Sequence, residues 1–330
     1  MHILYASDEH YVRHAAASMV SLIEHNAGQG HVIHYLSMGV SEESLGRLQA
    51  LCETNGWEFQ THELGDIHAW FDFSVNARGF APSALARLFL GRILPESVTR
   101  VIYLDCDTIV LDNLAPLWET DMGEKCIGMV PEPTVTKARR AHLGMPDSVP
   151  YCNSGVLLID LAQWRAQHVE ETVLNYYRAM GGDLVAPDQD ALCGALLDRI
   201  YILSPRYNYG SVQIYYPWKA QKRISAPTPF MAETAYREAV AHPAIVHFLG
   251  EERPWRAGNH HPYRQAYEQA LSKTPWKDAP MESGWQTYFV CFDLFNWVMK
   301  PFPYLRWKII DALIPAFMRR REKQLKRQAG

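Results

Sequence analysis

The sequence predicts an α/β fold, in which helices cover both faces of a doubly wound, Rossmann-like mixed sheet. Two observations favour it. Short apolar runs alternate with helix-like segments along residues 2–61, and a further apolar run at 101–104 follows a helical stretch. This βαβαβ order is typical of doubly wound sheets. With 330 residues, 48% of them hydrophobic, the chain can bury a full core, which excludes disorder as its main state.

The predicted elements follow one another without internal repeats. We expect strands at 2–7, 32–36, 57–61, 101–104, 126–130 and 155–159. Helices are expected at 14–25, after a Ser41 cap, and at 85–94, 161–180 and 188–197. Proline and aromatic residues become dense from about residue 255. We therefore divide the chain into a main domain, residues 1–264, and a C-terminal helical appendage, residues 265–330.

Charge is unevenly distributed. Residues 300–330 hold nine Lys or Arg and two acids, a net charge of +7, which leaves −11 on the preceding 299 residues. An acidic body argues against nucleic acid as a partner. Aromatic segments and a basic end in the appendage, without an apolar run of about 18 residues, are typical of helices that lie on an anionic membrane surface. Alternatively, these aromatic residues pack onto the main domain.

The N-terminus and the cysteines favour a cytoplasmic protein. The first predicted strand begins directly after Met1, which leaves no room for a secretory signal. The six cysteines form no CxxC pair, so reduced thiols are expected. Together with the basic appendage, this predicts a peripheral location on the inner face of the cytoplasmic membrane.

Asp105 and Asp107 are the first candidate metal ligands. They follow the apolar run 101–104, at the carboxyl end of a strand, where open α/β sheets bind ligands. Residues two apart in a strand lie on the same side, so both carboxylates can reach one hard cation while Cys106 points away. A bare DxD pattern also occurs by chance, as at Asp188 and Asp190, and a solvated loop with two acids is the alternative.

His247 is the third candidate ligand. It lies in the apolar segment 244–250, where a buried core histidine is the alternative. Two carboxylates and one imidazole suit a first-row divalent ion such as Mn²⁺ better than Ca²⁺. Gly250 and Arg253 follow within reach, and they offer close backbone approach and a positive fork for a diphosphate.

These segments, taken together, resemble the family 8 retaining glycosyltransferases, of the kind that add galactose or glucose to bacterial lipopolysaccharide. Six matching segments occur in family order between residue 1 and about residue 265: 6–11, 86–88, 103–107, 153–160, 187–190, and 247–250 with 253–255. The resemblance implies a GT-A-type nucleotide-sugar-binding domain over residues 1–264. It also implies a UDP-hexose donor and an oligosaccharide or lipid-linked glycan acceptor, such as the lipopolysaccharide or lipooligosaccharide core.

The resemblance also implies roles for individual residues. Asp105, Asp107 and His247 bind Mn²⁺, and Cys106 belongs to the same donor-binding segment. Ala6 and Asp8 contact the uridine, and Arg87 contacts the donor phosphates or sugar. Gly250 and Arg253 hold the diphosphate, although the family more often has Lys at the latter position. Asn153 and Asp188 contact sugar hydroxyls, and Gln189 lies beneath the anomeric carbon.

Several of these residues have structural alternatives. Arg87 could pair with a surface acid, Asn153 could set a turn, and Asp188 could cap the helix that follows Pro187. The cap and the sugar contact are compatible. Glu132 is a further acidic group that could touch the donor or acceptor sugar.

A retaining transfer requires attack by the acceptor on the face from which UDP departs, or a covalent intermediate. Gln189 is a poor nucleophile, so we favour same-face attack, with Asp188 as the alternative nucleophile. Competing interpretations are a glycoside hydrolase, a sugar nucleotidyltransferase, and a degenerate transferase that only binds glycans. The choice between galactose and glucose, the acceptor hydroxyl and the oligomeric state stay open.

Overall fold

A seven-stranded mixed sheet forms the centre of the molecule in the computed structural model, which describes residues 1–28 and 30–328, with side chains to residue 316. Its strand order is β3-β2-β1-β4-β7-β6-β8, and only β7 runs antiparallel to the others. A second sheet pairs β5 with β9. The strands are β1 His2–Ser7, β2 Val32–Ser37, β3 Glu58–Glu63, β4 Arg100–Leu104, β5 Thr108–Val110, β6 Ile127–Pro131, β7 Cys152–Asp160, β8 Ile200–Ile202 and β9 Ile245–His247.

Helices lie on both faces of the large sheet, as predicted. The α-helices are α1 Val12–His25, α2 Glu42–Thr54, α3 Leu90–Ile93, α4 Ala115–Trp118, α5 Lys137–His142, α6 Leu161–Ala166, α7 Val169–Ala179, α8 Pro187–Ala195, α9 Ser211–Tyr215, α10 Trp218–Ser225, α11 Glu233–Ala241, α12 Arg264–Leu271, α13 Gln286–Met299 and α14 Pro303–Gln328. Short 3-10 helices cover Glu9–Tyr11, Ile67–Trp70, Pro82–Phe89 and Pro205–Tyr207.

The first βαβαβ unit has the predicted order. Strands β1 and β2 pair in parallel along their whole length, and almost every residue in them is buried. Alternate residues of these strands face two separate apolar cores: Leu4 and Leu36 face one, and Ile3 and Ile33 the other. Ser41 caps α2 by accepting a hydrogen bond from the Ser44 amide, as expected.

Two predicted helices differ from the structure. The helix expected at 161–180 is divided into α6 and α7 at His168, whose φ of 51° is left-handed and interrupts the helix. The helix expected at 85–94 is a 3-10 helix, Pro82–Phe89, followed by one turn of α-helix. Strands β5, β8 and β9 are short and were not predicted.

The C-terminal residues begin on the body of the molecule. Helix α12 packs against α1, and its Tyr267 is buried in a core with Ala17 and Phe248. The segment predicted to start the appendage at residue 265 therefore contributes to the apolar core.

Helices α13 and α14 are attached through a buried arginine. Arg306 of α14 donates to the Tyr216 hydroxyl at 2.6 Å and to Asn296 Oδ1, and Trp307 donates to the Thr134 carbonyl at 2.8 Å. Helix α14 continues through Pro315 and is not interrupted there. In the part of the chain that the structure describes, no helix is long and apolar enough to cross a membrane. The side chains of the predicted basic cluster, residues 319–327, lie outside the described residues.

Candidate active site

Asp105, Asp107 and His247 converge on one point. Asp105 and Asp107 lie in the turn between β4 and β5, and His247 is the last residue of β9. His247 Nε2 is 3.1 Å from Asp107 Oδ1 and 3.7 Å from Asp105 Oδ2. One ligand atom from each residue lies within 4.8 Å of the others. The predicted set of three is therefore brought together, although by a turn and not by alternation along a strand.

Strand pairing brings the distant histidine to the two aspartates. In the small sheet, Thr108 of β5 is the partner of His247 in β9, and the Phe248 amide donates to the Asp107 carbonyl at 2.9 Å. On the other side, the Asp105 amide donates to the Gly155 carbonyl in β7. A Cβ at Gly155 would lie 2.1 Å from His247 Cε1 and 2.9 Å from Asp105 Oδ2. Glycine is therefore required at this position by the close approach of two candidate ligands.

The histidine is oriented for metal binding. His247 Nδ1 is 2.9 Å from Asn208 Oδ1, and the Asn208 amide nitrogen in turn donates to Asn153 Oδ1 at 2.8 Å. An amide oxygen only accepts, so Nδ1 carries a proton, and Nε2 is the nitrogen on the side of the carboxylates. Two carboxylates and an imidazole that presents Nε2 fit a divalent cation such as Mn²⁺.

The two aspartates have opposite electrostatic environments. Burial raises the pKa of Asp105 despite the nearby Arg87 guanidinium. Burial acts in the same direction on Asp107, but Arg253 and His247 outweigh it and lower the pKa of Asp107. Arg253 forms an ion pair with Asp107 Oδ2, and its Nε donates to the Gly250 carbonyl at 2.9 Å. Gly250 has a left-handed φ of 69°. Gly250 and Arg253 therefore lie beside the candidate metal ligands, as predicted.

Arg87 links the metal ligands to the segment predicted to bind the sugar. Its side chain is buried, so the alternative of a surface ion pair is wrong. The guanidinium is 2.7 Å from Asp105 Oδ1 and 3.2 Å from Asp188 Oδ2, and it lies over the Tyr103 ring. Burial lowers the pKa of Arg87, but the two carboxylates outweigh it and raise the pKa above its usual value.

Asp188, Gln189 and Asn153 lie together beside this arginine. Asp188 is the second residue of α8 and its N-cap is Ala186, so Asp188 does not cap the helix. Ser154 donates to Asp188 Oδ2 through its hydroxyl at 2.7 Å and to Gln189 Oε1 through its amide at 3.1 Å. Asn153 is part of β7, and its Oδ1 accepts from Gly155 and Asn208, so it does not set a turn.

The remaining predicted residues lie along the same edge of the sheet. Ala6 and Asp8 are at the carboxyl end of β1, which pairs with β4. Asp8 caps the 3-10 helix Glu9–Tyr11. The Cys106 thiol donates to the Ala6 carbonyl at 3.4 Å and thus points away from the carboxylates, as predicted. Glu132 is half-buried, burial raises its pKa, and Thr134 donates to it.

Sequence reasoning missed three polar residues that orient the site. Tyr103 donates to Asp105 Oδ1 at 2.8 Å, Asn208 orients His247, and Tyr151 accepts from the Gln189 amide nitrogen at 3.0 Å. Tyr103 is the first residue of segment 103–107 and Tyr151 lies two residues before segment 153–160, and these positions are the only local signal. Nothing near Asn208 in the sequence indicates its role.

Comparison with known proteins shows the family of the chain. A family model described as "Glycosyl transferase family 8" matches residues 2–258. General stress protein A of Bacillus subtilis is 31% identical over 84% of this chain and 94% of its own. Lipopolysaccharide glucosyltransferase WaaO of Escherichia coli K12 is 24% identical over 84% of this chain and 80% of its own.

The solved structures confirm the predicted GT-A-type fold. The galactosyltransferase LgtC, crystallised with donor and acceptor sugar analogues, is 23% identical, covers 84% of this chain and 99% of its own, and superposes with a TM-score of 0.72. An active-site mutant of LgtC gives a TM-score of 0.71. By the extent of the family match and by its fold, the chain belongs to glycosyl transferase family 8 and is a glycosyltransferase.

Proposed function

We propose that the chain transfers a hexose, galactose or glucose, from a UDP-sugar to a glycan acceptor with retention of configuration, assisted by Mn²⁺. The convergence of Asp105, Asp107 and His247 supports this proposal most strongly. A divalent cation held by these three residues would neutralise negative charge on the diphosphate of the donor. The names of relatives, including a lipopolysaccharide glucosyltransferase, favour a lipopolysaccharide or lipooligosaccharide core as the acceptor.

Departure of UDP is the step that most needs stabilisation, because negative charge develops on the diphosphate. Mn²⁺, when bound by Asp105, Asp107 and His247, acts there as a Lewis acid. Arg253 is the chain's own contribution: it leaves Asp107 and places its guanidinium fork on the diphosphate. Gly250 allows this loop to approach the phosphates closely, because its left-handed backbone carries no side chain.

The donor sugar is held by groups on β7 and α8. Asn153 Oδ1 is already occupied by two donors within the protein, so its amide nitrogen is the group left for a sugar hydroxyl. Asp188 offers its carboxylate to a second hydroxyl. Ala6 and Asp8, at the carboxyl end of β1, contact the uridine. Arg87 supports the site indirectly, because its ion pairs fix the positions of the Asp105 and Asp188 carboxylates.

Retention follows from same-face attack by the acceptor hydroxyl, with the departing phosphate taking its proton. Gln189 has a neutral amide, which is a poor nucleophile. The Asp188 carboxylate is neutralised by Arg87 and accepts from Ser154, which makes it a weaker nucleophile than a free carboxylate. An Asp188→Asn enzyme that traps the sugar on any side chain would overturn this mechanism.

Helices α13 and α14 serve peripheral membrane association on the cytoplasmic side, where a lipid-linked acceptor is presented. Large apolar side chains are exposed on these helices and on the connection between them: Tyr288, Val290, Leu294, Trp297, Val298, Phe302, Leu305, Leu313 and Ile314. Exposed apolar surface of this extent marks an interaction site. Removal of residues 286–330 is expected to release the protein from anionic phosphatidylglycerol vesicles, and undiminished binding would contradict this part of the proposal.

The reaction is tested with a donor panel that needs no acceptor. UDP-galactose, UDP-glucose and UDP-galacturonate are incubated with the protein and Mn²⁺, and slow hydrolytic release of UDP is measured with and without EDTA. We expect release from one hexose donor that EDTA abolishes. Formation of UTP and sugar 1-phosphate when pyrophosphate is added, without release of UDP, would identify a nucleotidyltransferase. Glycan binding without any turnover would identify a degenerate transferase.

A further inference from the structure

We propose that Tyr151, held by Asp190 and Arg139, is a positioning residue that sets the orientation of the Gln189 side-chain amide. This inference rests on the proposed function, in which Gln189 lies beneath the anomeric carbon. It assigns roles to three side chains that contact neither the candidate metal ligands nor the predicted uridine site.

The Gln189 amide is held at both ends. The Ser154 amide lies 3.1 Å from Gln189 Oε1, and Gln189 Nε2 lies 3.0 Å from the Tyr151 hydroxyl oxygen. A backbone N–H can only donate, so the carbonyl oxygen of Gln189 must face Ser154. Its NH₂ group must then face Tyr151, which has to accept a hydrogen bond.

Tyr151 can accept because its only proton is used elsewhere. The Tyr151 hydroxyl donates to Asp190 Oδ1, and the Arg139 guanidinium lies 2.7 Å from the same oxygen. An ionised carboxylate accepts only, which fixes the direction of the Tyr151 hydrogen bond. Burial, and then the nearby Asp190, raise the pKa of Tyr151 well above 10, so the phenol keeps its proton.

Three elements make this arrangement rigid. Arg139 belongs to α5, Tyr151 immediately precedes β7, and Asp190 belongs to α8. Asp190 is 1% exposed, and its second oxygen, Oδ2, accepts from the Ala186 amide at 3.0 Å. Both oxygens of this carboxylate are therefore engaged. One assignment of the protons satisfies every hydrogen bond in the series from Arg139 through Asp190, Tyr151 and Gln189 to Ser154.

The orientation matters for the charge that develops on the donor. Gln189 Oε1 lies on the side of Ser154, whose hydroxyl donates to Asp188 of the proposed sugar site, and Nε2 lies on the side of Tyr151. The negative end of the amide dipole thus faces the anomeric carbon as it becomes positively charged. A reversed amide would place N–H groups there and repel that charge. A dipole fixed in advance stabilises a transition state without reorganisation.

A double-mutant cycle tests the coupling between Tyr151 and Gln189. UDP release from the active donor is measured with Mn²⁺ for the wild type, Tyr151→Phe, Gln189→Ala and the double mutant. In the wild-type background, Tyr151→Phe is expected to lower kcat about 10-fold with the donor KM unchanged. In the Gln189→Ala background, the same change is expected to alter kcat by less than about 2-fold.

Tyr176→Phe is the matched control. The Tyr176 hydroxyl donates to the Leu143 carbonyl at 2.9 Å, and its loss should leave kcat unchanged within about 2-fold in both backgrounds. If Tyr151→Phe does not fold, Asp190→Asn replaces it, because an amide there can donate to Tyr151 and reverse the hydrogen-bond chain. The inference would be overturned if Tyr151→Phe lowered kcat by the same factor in both backgrounds, or if it changed only the donor KM. Failure of the wild type to release UDP from any donor would overturn the proposed function itself.

Discussion

The candidate active site and the two C-terminal helices are both unusual in which side chains they bury. The site buries charged groups, whereas the helices expose apolar groups. In the active site, charged side chains are buried: Arg87 is 2% exposed and Asp107 8%. On α13, large apolar side chains are exposed: Trp297 is 74% exposed and Leu294 60%. Buried charge costs free energy unless it is paired, and exposed apolar surface costs free energy unless it is covered.

The two regions differ in how much of this cost the protein itself offsets. In the active site, the charges are paired internally, through Arg87 with Asp105 and Asp188, and through Arg253 with Asp107. On α13, Val290, Leu294 and Trp297 are each at least 60% exposed, so most of their apolar surface is not covered by the protein. The comparison therefore predicts large and local effects of mutation in the active site. On the helices it predicts effects on association with little effect on stability.

The largest effect is expected from Gly155→Ala. The added methyl group would meet the His247 ring at 2.1 Å, so the imidazole must leave its position beside Asp105 and Asp107. UDP release should fall at least about 100-fold, since a displacement of 1 Å in a site has this order of effect. Gly46→Ala on α2, where nothing lies within 4 Å of the new methyl group, is the matched control. Equal activity of the two variants would show that the close approach is unimportant.

The stability of the folded protein should depend on pH through the buried histidine His34. His34 is fully buried between His2 and His62, and burial, followed by repulsion from these two rings, lowers the pKa of His34 from 6.5 to about 4. The folded state therefore favours neutral His34. Its contribution to stability is complete above pH 6.5 and is lost as the pH falls towards 4.

At pH 5 the expected contribution of His34 to the loss in the free energy of unfolding is about 2 kcal/mol. Urea denaturation at pH 7.5 and pH 5 measures the total difference, and His34→Gln should reduce it by about this amount. The exposed His68 provides the control variant His68→Gln, which should retain the wild-type dependence. The same loss between the two pH values in His34→Gln would refute the assignment.

A smaller effect is expected on the exposed helices. Trp297→Ser removes the most exposed large apolar side chain on α13, so binding to anionic vesicles should weaken about 10-fold. The midpoint of thermal unfolding should not change, because this side chain is largely in solvent. Ile202→Ser, at a 44% exposed position of β8, controls for lost surface hydrophobicity. A lower midpoint with unchanged vesicle binding would show that α13 packs within the protein.

The smallest effect is expected from Arg253→Lys. Lysine keeps the charge beside Asp107 but loses the planar fork, so the affinity for UDP in the presence of Mn²⁺ should fall about 3-fold. Isothermal titration calorimetry with UDP measures it. Arg237→Lys, in an exposed ion pair on α11, is the control. A loss as large as that of Arg253→Ala would mean that the fork geometry carries nearly all of the interaction.

Local patterns were sufficient to predict the first βαβαβ unit, because buried parallel strands and capped helices have short-range signatures. Residue type and segment were sufficient to select the three candidate metal ligands that the structure brings together, but the predicted reason for their convergence was wrong. Asp105 and Asp107 lie in a turn, and the pairing of β5 with β9 brings His247 to them. A pairing between segments so far apart along the chain leaves no local signal.

The same limit applies to the residues that orient the site. Asn208 acts on His247 and Asn153 across 39 and 55 residues, and Tyr151 acts on Gln189 across 38. Local sequence also does not show that α14 continues through Pro315, a residue that usually interrupts a helix. Hydrogen bonds between side chains far apart in the sequence form only when the sheet has assembled. The hydrophobic periodicity of the sequence therefore does not predict them.

The central claim is that two aspartates and one histidine bind a divalent cation. Electron paramagnetic resonance of Mn²⁺, titrated with protein in the presence of UDP, measures this binding directly. The wild type is predicted to bind one Mn²⁺, as is Asp112→Asn, which alters an exposed acid just after β5. Asp107→Asn and His247→Gln are predicted to lose the bound signal. Equal binding by all four proteins, or none by the wild type, would contradict the account.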